Sequence, residues 1–116
     1  MVEVKAKTPK QLERYFKGLA NHRRIAILNL IANEKAITLE EIAETLNCNI
    51  KTISGHTQKL LQAGLIRKKY RGRQVIHTLS PYGEIFHKFI QTFSYSRECE
   101  NVSVLENKKR KNKKVK

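Results

Sequence analysis

The sequence has no long apolar run and only two cysteines. No stretch approaches the roughly 18 consecutive apolar residues that a membrane-spanning helix needs, and residues 1–10 lack the apolar segment of a secretory signal. We therefore expect a soluble, cytoplasmic protein. Cys48 and Cys99 show no CxxC spacing, so the sequence predicts neither a disulfide framework nor a zinc site of the usual kind.

The motifs of common enzyme classes are missing as well. The sequence contains no Gly-rich phosphate loop, no nucleophile elbow and no metalloprotease helix motif. Its four histidines are scattered along the chain without an obvious acid or nucleophile partner. We predict that the protein is not an enzyme, has no catalytic residues, and needs no cofactor and no obligatory small molecule.

Acidic residues are few, and the charge balance is strongly positive. The chain carries 24 Lys and Arg against 10 Asp and Glu, a formal net charge of +14. Residues 1–105 hold 17 basic against 9 acidic residues, so the excess does not come from residues 106–116 alone. A field of this sign suits a polyanionic partner, either nucleic acid or an anionic membrane surface, and charge alone does not choose between them.

At 116 residues the chain is about one domain long, and its first third predicts two helices. Thr8–Gln11 combines a capping threonine, a proline at the first helical position and a glutamine suited to a capping box, so a first helix should run to about Gly18. Asn21 is a good cap for a second helix to about Ala32. The wide apolar face of this second helix predicts a central position in the core.

Two further helices follow with a short turn between them. Thr38 and Glu41 predict a capping box for a third helix, Leu39–Leu46. After three residues a fourth helix, Ile50–Ala63, should end at Gly64, since glycine commonly terminates helices. Two helices joined by so short a turn form a helix-turn-helix.

Beyond the fourth helix the pattern changes to strands. Leu65–Tyr70 and Gln74–Leu79, separated by Arg71–Arg73, predict a β-hairpin, and Pro81 opens a last helix. This order predicts a mainly α fold with a small β-hairpin: a winged helix-turn-helix with a three-helical core, a wing and an additional C-terminal dimerisation helix. The predicted organisation is an N-terminal extension (1–8), the DNA-binding domain with its dimerisation helices (9–97) and a basic, disordered tail (98–116).

The fourth helix has the pattern of a DNA-recognition helix. The major groove of B-DNA is about 12 Å wide and admits one α-helix. We predict that Ile50, Ile53, Leu60 and Leu61 face inward, which leaves a polar and cationic outer face beside a basic hairpin. Double-stranded DNA, rather than a membrane, is the predicted partner. The predicted contacts are Lys51, Thr52, Ser54, Gly55, Gln58, Lys59, Lys69, Arg71 and Arg73.

The outer face of the fourth helix and the basic hairpin also have a simpler interpretation, in which neither contacts DNA. The helix face could simply be solvated, and the charged hairpin tip could serve solubility alone. We favour DNA contact because a capped short turn precedes the helix and a dense group of cations follows it.

The first and last helices carry more apolar groups than one small domain can bury. We therefore predict a homodimer in which these faces pair across a two-fold axis. The alternative is a monomer whose last helix folds back on its own core. The predicted interface residues are Leu12, Tyr15, Phe16, Leu19, Tyr82, Ile85, Phe86, Phe89, Ile90 and Phe93.

Four runs of the sequence resemble the ArsR-type winged-helix transcriptional regulators. The resemblance covers roughly residues 9–95 and implies a homodimer, joined through the first and last helices, that binds an inverted-repeat operator, usually to repress. It also places Ser54 and His56 at positions where the family contacts DNA. The runs that carry the resemblance are Phe16–Leu28, Leu39–Leu46, Ile53–His56 and Leu60–Ile66.

Some positions depart from the family pattern. Gly55 stands where such proteins often carry a long polar residue, and Thr57 stands where the family commonly has a core leucine. Contacts to bases are therefore expected to be fewer here. Glu40–Ala43 replaces the thiols with which some relatives bind metal, so that metal site is absent.

The remaining candidates for metal or redox chemistry are sparse. Glu84 and His87 lie three residues apart on the last helix, with Glu98 and Cys99 further on, whereas a metal site needs three or four converging ligands. We predict no metal site. Cys48 lies at the entrance to the fourth helix, where its thiol either packs or responds to oxidation, and packing is the favoured interpretation.

A second function fits the same composition. An architectural or RNA-associated protein of winged-helix fold would use the same positive charge without a strong sequence preference. The two functions differ in the ratio of specific to non-specific affinity, which for a regulator should reach at least about a thousandfold.

Overall fold

The fold is seen in a computed structural model, which describes residues 4–97. The predicted basic tail (98–116), Glu98 and Cys99 therefore lie outside the described residues, as does the start of the predicted N-terminal extension. None of the helices in the described part is long and apolar enough to cross a membrane.

The described chain consists of five helices and a small antiparallel sheet. The three strands lie in the order β1-β3-β2, with β3 in the centre. The elements in chain order are α1 (Pro9–Leu19), α2 (His22–Asn33), β1 (Ile37–Thr38), α3 (Leu39–Leu46), α4 (Ile50–Ala63), β2 (Ile66–Arg71), β3 (Gln74–Leu79) and α5 (Pro81–Ser94). The predicted winged helix-turn-helix fold is confirmed.

Local capping accounts for the helix boundaries that the sequence predicted. The Thr38 hydroxyl accepts a hydrogen bond from the Glu41 backbone N–H (3.1 Å), and the Glu41 carboxylate accepts one from the Thr38 N–H (2.9 Å). Asn47 adopts a left-handed conformation (φ 55°) that ends α3, and Asn49 caps α4. The helix-turn-helix is therefore encoded by side chains within a few residues of each helix end.

The sheet differs from the predicted hairpin in two respects. Ile37 and Thr38 form a short third strand that pairs with His77 and Ile76 of β3. Two residues are too few to show strand periodicity, which is why the pattern predicted a hairpin alone. The turn is also shorter than predicted, because Arg71 pairs with Gln74 and leaves a two-residue loop in which Gly72 has φ 61°.

One core joins all of these elements, and α2 is central to it as predicted. Ile27 and Leu28 of α2 are fully buried, as are Ile42 of α3, Leu60 of α4 and Leu65 before β2. The partly buried Phe86 and Ile90 attach α5 to the same core. The helix-turn-helix and the wing are thus fixed to one packed unit.

Ser80 ties the end of α4 to the start of α5. Its hydroxyl donates to the Gly64 carbonyl (2.6 Å) and accepts from the Gly83 N–H (3.0 Å), while its own N–H donates to the Leu65 carbonyl (3.1 Å). A Cβ at Gly83 would overlap the Leu65 carbonyl oxygen. Glycine is therefore required where α5 crosses the chain between α4 and the wing.

We expect Gly83→Ala to lower the free energy of unfolding by about 1–3 kcal/mol, because the added methyl would push α5 off the Leu65 backbone. Gly55→Ala is the matched control. It adds the same methyl to a helix at a position with no atom within 4 Å of it. Because alanine favours helix more than glycine, the control should raise stability by about 0.5–1 kcal/mol. Urea denaturation of both variants measures the difference, and equal effects would contradict this account.

His77 makes the stability of the folded chain depend on pH. The ring is buried, and its Nδ1 donates to the Ile37 carbonyl of β1 (3.4 Å). Burial is the main cause that lowers the pKa of His77, aided by the Lys68 charge and partly offset by the Ile37 hydrogen bond and by Glu40. The folded pKa thus lies below the usual value of 6.5. Below that value the unfolded chain binds the extra proton, so the stability contributed by neutral His77 is lost as the pH falls.

We expect the free energy of unfolding to fall between about pH 7.5 and pH 5.5, and His77→Gln to reduce that fall because glutamine does not titrate. Denaturant titrations at several pH values measure it. His87→Gln, which removes a histidine from α5 rather than from the sheet, is the control and should retain the wild-type pH dependence. A wild-type dependence in His77→Gln would show that another group is responsible.

Candidate nucleic-acid interface

The outer face of α4 is open to solvent in the described chain. Thr52 and His56 are half-buried, and the other predicted DNA-contacting residues of this helix are exposed. The face is polar, carries two cations, and has its smallest side chains in the middle. The exposed members are Lys51, Ser54, Gly55, Gln58 and Lys59.

The inner face of α4 differs from the prediction at its first turn. Ile53, Thr57 and Leu60 are buried, whereas Ile50 is 42% exposed and Leu61 is only half-buried. Helical spacing alone placed Ile50 on the inward stripe, but the stripe starts one turn later, where α4 lies against the rest of the core. Thr57 takes the core position that the resemblance assigns to leucine, and among residues 4–97 its hydroxyl has no hydrogen-bond partner.

The wing is the hairpin formed by β2 and β3, and its cations lie on both faces of that hairpin. Since side chains alternate along a strand, Arg67, Lys69 and Arg71 of β2 share one face, and Lys68 shares the other with Tyr70. All five are exposed, with Tyr70 75% exposed. Tyr70 was not among the predicted contacts. Its exposed aromatic ring lies between the cations of β2.

An open groove of about 600 Å³ connects α4 to the wing. Ser54 and Gln58 line it from α4, and Lys68, Arg73 and Gln74 line it from the wing. The fold therefore brings predicted contacts from two separate elements to the same groove. Lys51 and Lys69 are exposed but do not line it.

His56 differs from its neighbours on α4 because another residue holds its ring. The Arg24 Nε donates to His56 Nδ1 (3.3 Å), and the same guanidinium donates to the carbonyls of Lys17 (3.2 Å) and Gly18 (3.1 Å). Burial is the largest cause that lowers the pKa of His56, and the charges of Arg24, Arg23 and His22 lower it further. Arg24 lies 32 residues from His56, so sequence spacing offered no signal for this contact.

A separate apolar face is formed by α1 and α5. Phe16 packs edge-on against Phe86 (ring centroids 5.3 Å apart) and Tyr15 packs edge-on against Tyr82 (5.2 Å). An apolar groove of about 380 Å³ runs between the two helices. The predicted interface residues that remain exposed on this face are Leu12, Phe16, Tyr82, Ile85, Phe89 and Phe93.

Four predicted interface residues are less exposed. Tyr15 and Leu19 are buried in the core of their own chain, and Phe86 and Ile90 are partly buried against it. These four lie beneath the apolar face and attach α1 and α5 to the rest of the domain.

The candidates for metal or redox chemistry do not assemble into a site within residues 4–97. No three His, Cys or Glu side chains of this part converge in a way that could hold a metal ion. His87 Nε2 lies 3.3 Å from the Gln91 side chain. The free Cys48 is half-buried, packs against the core, and donates to the Leu46 carbonyl (3.3 Å).

A protein-family model described as HVO_A0114 matches residues 19–87. The match includes α2, the whole helix-turn-helix and the wing. The chain belongs to the HVO_A0114 family. The matched span of this family member contains all the residues that line the groove between α4 and the wing, but it leaves out most of α1 and the last turns of α5. No curated protein matches the chain.

Solved structures of transcriptional regulators share the fold. Mb0332 from Mycobacterium bovis, a possible ArsR-family transcriptional regulator, was solved as a homodimeric winged helix-turn-helix DNA-binding domain (fragment 1–100). It is 28% identical over 73% of this chain and 79% of that chain, with a TM-score of 0.67. The ArsR-type resemblance expected from the sequence is confirmed by such neighbours.

Two other structures are similar in fold alone. The transcriptional regulator HlyU from Vibrio vulnificus CMCP6 is 24% identical over 75% of this chain and 90% of that chain, with a TM-score of 0.64. The transcriptional repressor PagR of Bacillus anthracis is 21% identical over 70% and 93% of the two chains, also with a TM-score of 0.64.

Proposed function

We propose that the protein is a sequence-specific, homodimeric transcriptional regulator that binds an inverted-repeat DNA site and represses transcription by occupying it. The observation that carries the proposal is the groove in which the exposed face of α4 meets the cations of the wing. An α-helix fits the major groove, and cations beside it hold the phosphates that flank the bases being read. Similarity to a DNA-binding domain of an ArsR-type regulator supports the same function.

The side chains of α4 and of the wing suit different contacts with DNA. Gln58 and Lys51 have side chains that can pair with base edges, whereas Arg71 and Arg73 at the wing tip suit phosphate oxygens or a narrow minor groove. The exposed Gly55 lets the helix backbone approach the DNA closely. We therefore assign sequence preference mainly to α4 and sequence-independent affinity mainly to the wing.

The apolar face of α1 and α5 supports the homodimer. Phe89 is 56% exposed and Phe93 is 70% exposed, so the packing of α5 on its own core, which partly buries Phe86 and Ile90, leaves these two aromatic side chains in solvent. Exposed apolar clusters of this kind mark interaction surfaces. A second copy offers the same face, and two-fold pairing would present two recognition helices about 34–36 Å apart, one turn of DNA. The similar Mb0332 domain is homodimeric.

Selection from random duplexes should yield a two-fold symmetric site, which then serves to test individual residues. We expect Lys51→Ala and Gln58→Ala each to weaken binding to that site by about 1–3 kcal/mol while changing random-duplex binding less. Arg71→Ala and Arg73→Ala should weaken binding to both DNAs alike and reduce the salt dependence. Fluorescence anisotropy over a range of salt concentrations measures all four variants.

Two outcomes would contradict this assignment. Equal losses on both DNAs for the α4 variants would remove them from base recognition, and unchanged salt slopes would remove the wing tip from phosphate contact. If selection yields no preferred sequence although duplex binding is tight and salt-dependent, the architectural function replaces the regulatory one.

Ile85 tests the dimer, because it is 62% exposed on the apolar face and not part of the packed core. Ile85→Glu should leave the chain folded but monomeric, since it would bury a charge in the interface. Affinity for the two-fold site should fall by roughly a hundredfold or more, because the half-sites are no longer bound together. Analytical ultracentrifugation and circular dichroism measure assembly and folding. Tyr70→Glu, at a position on the wing that is 75% exposed, is the control for assembly and should stay dimeric.

A further inference from the structure

His56 lies where the recognition helix meets the junction of α1 and α2. It is half-buried on α4, between the exposed Gly55 and the buried Thr57. The residue is therefore partly covered by the protein and partly reachable by solvent. The protein-facing atom is Nδ1, which lies 3.3 Å from the Nε of Arg24.

The direction of this hydrogen bond is unambiguous. An arginine guanidinium has five N–H donors and no acceptor, and it does not lose its charge in proteins. Nδ1 of His56 must therefore be the acceptor, which requires it to carry no proton. A neutral imidazole then carries its single proton on Nε2.

Arg24 is itself held in place. Its Nη1 donates to the carbonyls of Lys17 (3.2 Å) and Gly18 (3.1 Å), the two residues that precede the last residue of α1. At the same point Gly18 packs so closely on α4 that an added Cβ would come within 2.5 Å of the Ala63 Cβ. One guanidinium thus spans α2, the end of α1 and α4, and its orientation is fixed from two sides.

We propose that Arg24 is a positioning residue for DNA recognition, which holds His56 in the Nε2–H tautomer so that α4 offers DNA a hydrogen-bond donor at this position. The inference rests on the proposed function for its biological meaning, but the Arg24–His56 contact can be tested without DNA. An N–H at Nε2 suits a phosphate oxygen or an acceptor on a base edge, whereas an unprotonated Nε2 would repel both.

The surrounding charges agree with this geometry. Burial lowers the pKa of His56, and the positive charges of Arg24 and Arg23 act in the same direction. The ring is therefore neutral near pH 7. A neutral ring carries a single proton on one of its two nitrogens, so its tautomer matters. Arg23 contributes charge, but within residues 4–97 its side chain makes no hydrogen bond to His56.

The first experiment examines the full chain without DNA. Long-range ¹H–¹⁵N correlation spectra of the imidazole rings near pH 7 distinguish a protonated from an unprotonated ring nitrogen. We expect His56 to show protonation at Nε2 alone. Arg24→Gln and Arg24→Lys should shift the ring toward a mixture of tautomers, whereas Arg23→Gln, which removes the neighbouring charge, should leave it at Nε2. A His56 ring that is protonated at Nδ1, or that is unaffected by both Arg24 variants, would overturn the proposal.

The second experiment measures DNA binding by the same variants. Arg24→Lys retains the charge but lacks the planar fork that reaches His56 and the α1 carbonyls together. We expect both Arg24 variants to lose about three- to tenfold in affinity for the selected site, the range expected from one hydrogen bond. Binding of Arg24→Lys to random duplex should fall equally if the Nε2 donor meets a phosphate oxygen, and should stay unchanged if it meets a base edge. If Arg24→Lys binds the selected site as the wild type does, Arg24 acts only through its charge and the proposal fails.

Two variants of His56 test the donor with Arg24 itself unchanged. The side-chain amide of glutamine reaches the position of Nε2, and that of asparagine reaches the position of Nδ1. His56→Gln should therefore bind the selected site within about threefold of the wild type, and His56→Asn should lose about tenfold. Circular dichroism confirms that each variant is folded. Equal losses would show that no donor at Nε2 is used, and failure of the wild type to prefer any sequence would reject the proposed function instead.

Discussion

The burial of one side of α4 is the constraint on which the rest of the structure depends. Ile53 and Leu60 are fully buried and Thr57 almost so, which fixes the rotation of the helix about its own axis. A helix fixed in this way has only one face left for solvent, and that face holds its short and cationic side chains. If the rotation changed by a third of a turn, apolar groups would enter water and the groove beside the wing would lose its polar lining.

The junction around Ser80 extends this constraint to the other functional surfaces. The Ser80 hydroxyl bonds both the end of α4 and the start of α5, and Gly83 lets α5 lie on the backbone that leads into the wing. α4, the wing and the apolar face therefore share one rigid connection. The Arg24 guanidinium provides a second connection, from the end of α1 to the middle of α4. Through these two contacts, the surface proposed for dimerisation and the surface proposed for DNA binding belong to one packed body.

The predictions agree with the structure where the interactions are between residues close together in the chain, and they differ from it where distant residues are in contact. The bounds of α3 and α4 match the prediction because their caps lie within three residues of the helix ends, as Thr38 with Glu41 shows. The β1 strand was missed because its two residues gain strand geometry only by pairing with β3, some 40 residues later. Ile50 was assigned to the core because periodicity describes which residues share a face but not how far along a helix the neighbouring elements extend.

By itself, the sequence determined the order and type of the helices, the wing, the positive charge and the two groups of side chains that now form an apolar face and a polar groove. All of these follow from capping, periodicity and composition, which act between residues close together in the chain. Only the tertiary structure decided that Gln58 and Arg73 share a groove, that Tyr15 and Leu19 are buried beneath the apolar face, and that Arg24 holds His56. These contacts join elements distant in sequence, and they form only because the close-packed core fixes the positions of those elements relative to one another.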